Sequence, residues 1–150
     1  MRIVCICGRR NIGKTFIQEM LWYELAINAC HWYGHENAHG RCFKHISELP
    51  SPAPDYLFLE IECGVEYILT IDSFSHDKVN VVVCDLSTAA SINERFGAKV
   101  IFLHPLYSTS LIKNNQDIIN EEMHITSPTN EVVQSITNLL HYWYGDSIYR

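Results

Sequence analysis

The sequence predicts a three-layer α/β/α domain built on a mostly parallel sheet. Short, continuous apolar runs carry this expectation: "RIVCIC" (2–7), "VNVVVCDL" (79–86) and "AKVIFLHP" (98–105). They have no polar alternation, which is the pattern of strands covered on both faces. Segments with helical spacing stand between and after them, the alternation of an α/β fold. The chain has 150 residues, 47% hydrophobic and 19% charged, which suits one globular domain over 1–150.

Taken in order, "RIVCIC" is a buried strand ended by Gly8. Residues 14–29 read as a helix, with Phe16, Met20, Tyr23 or Leu21, and Ala26 or Ile27 at helical spacing. Residues 30–55 are rich in His, Gly, Asn, Ser and Pro and read as irregular. Residues 56–62 and 65–71 are strand-like, with Cys63-Gly64 as a tight connection. The strand at 79–86 carries Asp85 at its carboxyl end. Residues 87–97 form a helix with a Ser or Thr cap and Gly97 as its stop. A third buried strand (98–105) leads to a loop with a helical turn at 106–121, then a short strand at 122–127. The last helix enters through Ser-Pro and stops at Gly145. The aromatic end "HYWYGDSIYR" caps the core, with cover of an interface in a homo-oligomer as the alternative.

Ligands of such folds bind beyond the carboxyl ends of the strands. Gly8 and Asp85 both fall there. Residues 8–15, "GRRNIGKT", fit G-x-x-x-x-G-K-[ST] between a strand and a helix. This is the pattern of a P-loop NTPase. Gly8 turns the chain sharply out of its strand. The backbone N–H groups of Arg9, Arg10, Asn11, Ile12, Gly13 and Lys14 can then point at phosphate oxygens, aided by the positive end of the helix. Gly13 allows close approach, Lys14 neutralises the terminal phosphates, and the Thr15 hydroxyl supplies Mg2+. Asp85, behind "VVVC", is the acid expected on the metal side. ATP and Mg2+ are the ligands this set implies. Asn11 stands where many such loops have glycine, and asparagine tolerates left-handed backbone angles.

The net charge of −6 argues against broad nucleic-acid binding. No apolar stretch approaches the roughly 20 residues of a membrane span. The run in "MRIVCICG" is too short for a signal peptide. The six cysteines are expected as reduced thiols in a cytoplasmic protein, with Cys5, Cys7 and Cys84 as small hydrophobes in strands.

The order of motifs resembles the guanylate-kinase family of nucleoside monophosphate kinases. "IVCICGRRNIGKT" comes first. "HENAHGRCFKH" looks like the family's E-x-x-G-x-x-Y-x-F stretch through Glu36, Gly40 and Phe43. "YLFLEIECGVEYILT" looks like F-L-E…G-x-x-Y-G-T, with Leu59-Glu60, Gly64, Tyr67 and Thr70 in matching places. "VNVVVCDLSTAA" looks like V-L-L-D-I-D-x-Q-G-A, and "AKVIFLHPLYST" and "EEMHITSPTNEVVQSITNLL" resemble the closing strands and helix. The resemblance implies phosphoryl transfer from ATP to a ribo- or deoxyribonucleoside monophosphate, with Lys14 and Asp85 catalytic. It implies that Glu60 binds the acceptor base, Tyr67 its phosphate, and Thr70 the base or phosphate. Arg41 is the nearby arginine.

The sequence departs from that family at two places. The acceptor element T-T-R-x-x-R should lie near 31–35, which reads "HWYGH". The lid interval, 106–121, is short and holds one cation, Lys113. Lid arginines stabilise charge on the phosphoryl in flight, and analogous arginines are worth on the order of 10³–10⁵ in rate. Arg9, Arg10 and Arg95 are the candidate substitutes. His31, Trp32, Tyr33 or His35 could serve the acceptor. The alternatives are therefore a guanylate-kinase-like binding module without turnover, or a small P-loop NTPase. The latter wants a polarising acid where Ser87 and Thr88 stand. In "CHWYGHENAHGRCFKH", His35, His39, Cys42 and His45 have spacings usable for zinc, against the plainer reading of a polar acceptor loop.

Overall fold

The structure is a computed structural model and describes residues 1–34, 43–45, 56–62, 64–107 and 114–150. In chain order its strands are β1 (Ile3–Gly8), β2 (Ile27–Ala29), β3 (Trp32–Gly34), β4 (Phe43–His45), β5 (Tyr56–Glu62), β6 (Val65–Thr70), β7 (Val79–Val83), β8 (Lys99–Pro105) and β9 (Glu121–Ile125). The α-helices are α1 (Lys14–Glu24), α2 (Leu86–Phe96) and α3 (Asn130–Tyr144).

Five of the strands form one parallel sheet in the order β2-β7-β1-β8-β9. β1 is central, and Ile3 to Cys7 are buried. Its side chains alternate between two cores. Val4 and Ile6 join Ile17 and Leu21 of α1 and Val133, Ile136 and Leu140 of α3. Ile3, Cys5 and Cys7 face the other way, with Ala89 and Ile92 of α2. Helices thus lie on both faces of a parallel sheet, the α/β arrangement the apolar runs predict. No helix among the described residues is long and apolar enough to cross a membrane.

The predicted helix over 14–29 is too long. It ends at Glu24, Leu25 turns to extended angles, and Ile27–Ala29 becomes edge strand β2 against β7. Ile27 and Ala29 sit buried on that edge, which outweighs the fit of Ile27 to the helical period. Arg150 caps the last turn of α1 from the far end of the chain, donating to Trp22 O at 2.6 Å and Leu25 O at 3.2 Å. The helix expected at 87–97 starts one residue early. Its N-cap is Asp85 rather than a Ser or Thr, while Gly97 (φ +75°) closes it as expected.

Residues 30–55 are not wholly irregular. β3 and β4 lie within them and join β5 and β6 in a second sheet, ordered β4-β3-β6-β5. β3 pairs parallel with β4 and antiparallel with β6, which forms an antiparallel pair with β5. Trp32, Tyr67 and Leu69 of this sheet share the core that α2 covers. The chain returns to the parallel sheet past Asn80, which is fully buried and fully engaged. Its amide donates to Ser75 O (2.8 Å) and Arg2 O (3.1 Å), and its carbonyl accepts from Ser75 N (2.7 Å) and Asn28 Nδ2 (2.8 Å).

Candidate functional site

The turn out of β1 is built on two glycines that no other residue replaces at the same geometry. Gly8 has φ +152°, and a Cβ there would stand 2.7 Å from Leu103 O of neighbouring β8. Gly13 has φ +104°, and its Cβ would stand 2.5 Å from Pro128 Cγ. Both positions combine a backbone that L side chains avoid with a contact that leaves no room. Asn11 takes a left-handed φ of +66° between them, as its short polar side chain permits.

Lys14 closes the turn. Its ammonium donates to Gly8 O at 2.7 Å and to Arg9 O at 2.8 Å, tying the start of α1 back to the end of β1. The first intrahelical bond of α1 runs from Ile17 N to Gly13 O at 3.0 Å. The first turn holds no acidic residue, and Gly13 supplies no capping side chain. The positive end of α1 therefore faces the turn without a neutralising group from its own helix. Arg9, Arg10 and Asn11 are exposed, Ile12 is buried, and Lys14 and Thr15 are half-buried.

Asp85 follows β7, the immediate neighbour of β1. Cys7 and Cys84, the residues just before Gly8 and Asp85, have sulfurs 4.0 Å apart. The glycine turn and the acid thus leave adjacent strands side by side, and Asp85 is exposed there. Cys5, Cys7, Cys30 and Cys84 are buried thiols outside any disulfide. The sulfur contact with Cys84, and then burial, hold the Cys7 thiol well above its ordinary pKa. Contact with Cys5, against a smaller lowering by Cys7 and with burial adding to the rise, holds the Cys84 thiol well above its ordinary pKa too. These thiols are core material here and poor nucleophiles.

A cavity of about 610 Å³ opens beside the turn. Arg9, Asn11 and Ile12 form one wall, residues 105–107 a second, and residues 125–128 a third. Its size falls within the usual range for small-molecule sites. Tyr107 stands at its rim, 90% exposed.

The second sheet brings Glu60 and Tyr67 together. They are register partners on β5 and β6, and they are 4% and 3% exposed. Tyr67 packs in the core between the sheets. Glu60 Oε1 accepts a hydrogen bond from Asp85 N at 2.7 Å. Thr70 lies on the opposite face of β6 from Tyr67. It is fully buried, donates to Asp72 and lies 3.4 Å from Ser73 Oγ, at the 3-10 turn that leaves the strand. Arg41, His35, His39, Cys42 and Lys113 lie outside the described residues. Among the described residues, no group of three or more His, Cys, Asp or Glu side chains is placed to hold a metal ion.

Of the candidate arginine substitutes, Arg95 is misplaced. It sits in the last turn of α2 over the Phe96 ring, at the end of the helix away from Asp85. An eleven-residue helix rises about 16 Å, so Arg95 is remote from the turn. Arg9 and Arg10 are local to it.

Sequence reasoning misses the wall formed by residues 105–107 and 125–128, and the contact of Pro128 with Gly13. The Ser127-Pro128 pair signals only a helix entry, and that helix is capped by Thr129, which accepts from Val132 N at 3.4 Å. Gln18 is also missed. It is fully buried, and its amide donates to Val81 O at 2.8 Å, joining α1 to β7.

No family model matches the chain, and no curated protein matches it.

Proposed function

We propose that the Gly8–Thr15 turn is a phosphate-binding loop and that the chain is a reduced, guanylate-kinase-like nucleoside monophosphate kinase. The observation that carries this reading is the closed turn itself. Lys14 ties its two ends together at a helix start whose own first turn holds no acid, one strand away from Asp85. Backbone N–H groups in such a turn favour a polyanion. The cavity beside it suits the base and ribose of the same nucleotide.

The donor set also fits Mg2+. The Thr15 hydroxyl and the Asp85 carboxylate are hard oxygen ligands at the carboxyl edge of the sheet. Bound there with ATP, Mg2+ would supply charge neutralisation at the phosphates. The protein's own part is positioning and electrostatics. Lys14 offsets negative charge on the terminal phosphoryl, and Arg9 and Arg10 stand close enough to the loop to add to it. In the transfer, the bond from phosphorus to the ADP oxygen breaks, and one forms to a phosphate oxygen of the acceptor monophosphate. The 31–70 segment would hold that acceptor, with Tyr67 beside Glu60.

A second reading is favoured by the composition of residues 106–121, whose one cation is Lys113. A module that holds a nucleotide without turning it over needs no lid arginines. Incubation with Mg-ATP and a panel of ribo- and deoxyribonucleoside monophosphates separates the two, with products resolved by chromatography. Diphosphate from one acceptor, absent with a Lys14→Ala protein, establishes the kinase. Binding of ATP without any product leaves the module.

A further inference from the structure

Glu60 is a buried acidic side chain. It lies on the face of β5 that meets the parallel sheet, beside Tyr67, with the thiols of Cys7 on β1 and Cys84 just past β7 nearby. At 4% exposure its carboxyl group loses most of its hydration, which an apolar residue at that position would avoid. What it gains is specific. Oε1 accepts the N–H of Asp85 at 2.7 Å, across the boundary between the two sheets.

Asp85 is the N-cap residue of α2, an eleven-residue helix whose own first turn holds no acid. An aspartate at an N-cap ordinarily folds its carboxylate back onto the first amides of its helix. Asp85 makes no such capping bond and is exposed instead. Glu60 Oε1 supplies an acceptor from outside the helix at the start of α2. It also fixes the Asp85 peptide at its nitrogen.

We propose that Glu60 is a positioning residue for Asp85: it holds the Asp85 peptide N–H from the second sheet and so fixes the backbone from which the Asp85 carboxylate projects at the end of β7. The part of this that concerns metal rests on the phosphate-loop reading above. It also gives Glu60 a role beside the acceptor base contact that the family resemblance implies.

The test compares wild type with Glu60→Gln, Glu60→Asp and Glu60→Ala in the full chain. Glutamine keeps an acceptor oxygen at the same reach, aspartate keeps the charge but falls short by one methylene, and alanine removes both. The first readout needs no nucleotide: the amide proton of Asp85, by its chemical shift and hydrogen exchange in NMR. The expected result is a protected amide in wild type and Glu60→Gln, and a shifted, faster-exchanging one in Glu60→Asp and Glu60→Ala. The second readout is the Mg2+ concentration that half-saturates ATP binding. It should rise about tenfold in Glu60→Asp and Glu60→Ala, the lower end for a lost outer-shell partner, and stay within about twofold in Glu60→Gln. ATP binding in EDTA should stay within about twofold throughout, since the loop contacts are untouched.

An Asp85 amide that is unchanged in Glu60→Asp, or equal loss in Glu60→Gln and Glu60→Ala, overturns the positioning role. If wild type binds no Mg-ATP, the phosphate-loop reading fails, and the Asp85 amide still decides the role of Glu60. If Glu60→Ala does not fold, Glu60→Asp against Glu60→Gln carries the same comparison.

Discussion

The sulfurs of Cys7 and Cys84 lie 4.0 Å apart across neighbouring parallel strands, each one residue short of the group that leaves the sheet. That contact sits under both Gly8 and Asp85. It is apolar packing by two neutral thiols, and their protonation is part of the stability of the edge.

The pH dependence follows from that. Both thiols have folded-state pKa values well above the ordinary 9.0, so the folded state keeps protons that the unfolded chain releases. Stability is then full below about pH 9 and falls as pH rises above it, by at most about 1.4 kcal/mol per pH unit for each thiol. Tyr144, raised by burial from 10.0, adds a loss of the same sign above pH 10. Urea unfolding midpoints measured from pH 7 to 10.5 should decline, and less steeply in Cys84→Ala. A flat profile above pH 9 would show that the thiols ionise in the folded protein as they do in solution.

Gly13→Ala should damage the loop, whereas Gly97→Ala should not. Both glycines have positive φ, but only Gly13 has a neighbour, Pro128, where the new methyl group would go. The expected cost is about 1 kcal/mol at Gly97 and about 3 kcal/mol or more at Gly13, the latter with loss of ATP binding. Thermal melts and ATP titrations of the two proteins give the comparison. Equal effects would mean that Pro128 yields and the contact is unimportant.

Asn80→Leu should be among the most destabilising single changes. It removes the side-chain partners of both Ser75 N and Ser75 O, while Arg2 O keeps Asn80 N and the Asn28 amide keeps Ser73 O. Each unmade bond there costs about 1–3 kcal/mol. A fall in melting temperature is expected, with the second sheet losing amide protection before β1 does. A melting temperature within the error of wild type would contradict the structural weight given to this residue.

The cavity beside the loop can be separated from the loop itself. Ser127→Trp places a bulky side chain at its wall. It should weaken ATP binding by about tenfold or more, through lost base and ribose contacts, and leave inorganic triphosphate binding nearly unchanged. Equal loss for both ligands would mean that the indole reaches the loop. No loss for either would place the base elsewhere.

The parallel sheet is legible in the sequence because its central strands are buried on both faces and carry no competing pattern. β1 and β8 stand within a residue of their apolar runs, β7 ends at Val83, three residues short of its run, and Gly145 ends α3 where it is expected. β2 is hidden because Ala26 or Ile27 also fits the helical period of α1, and edge pairing to β7 decides against it. β3 is hidden because Trp32-Tyr33-Gly34 is three residues among turn formers, and long-range pairing with β6 makes it a strand. The same holds for the site. The glycine turn is local and written in eight residues. The Glu60–Asp85 hydrogen bond and the Pro128–Gly13 contact join residues far apart in the chain, and no spacing rule encodes them.

The central claim is that the turn closed by Lys14 binds nucleotide phosphates. Calorimetric titration of Mg-ATP into wild type and Lys14→Ala, with circular dichroism to confirm that both fold, tests it directly. Saturable binding by wild type and at least a tenfold loss in the variant are expected, the scale of one charge-assisted contact. Equal binding by the two folded proteins, or none by wild type, would contradict it.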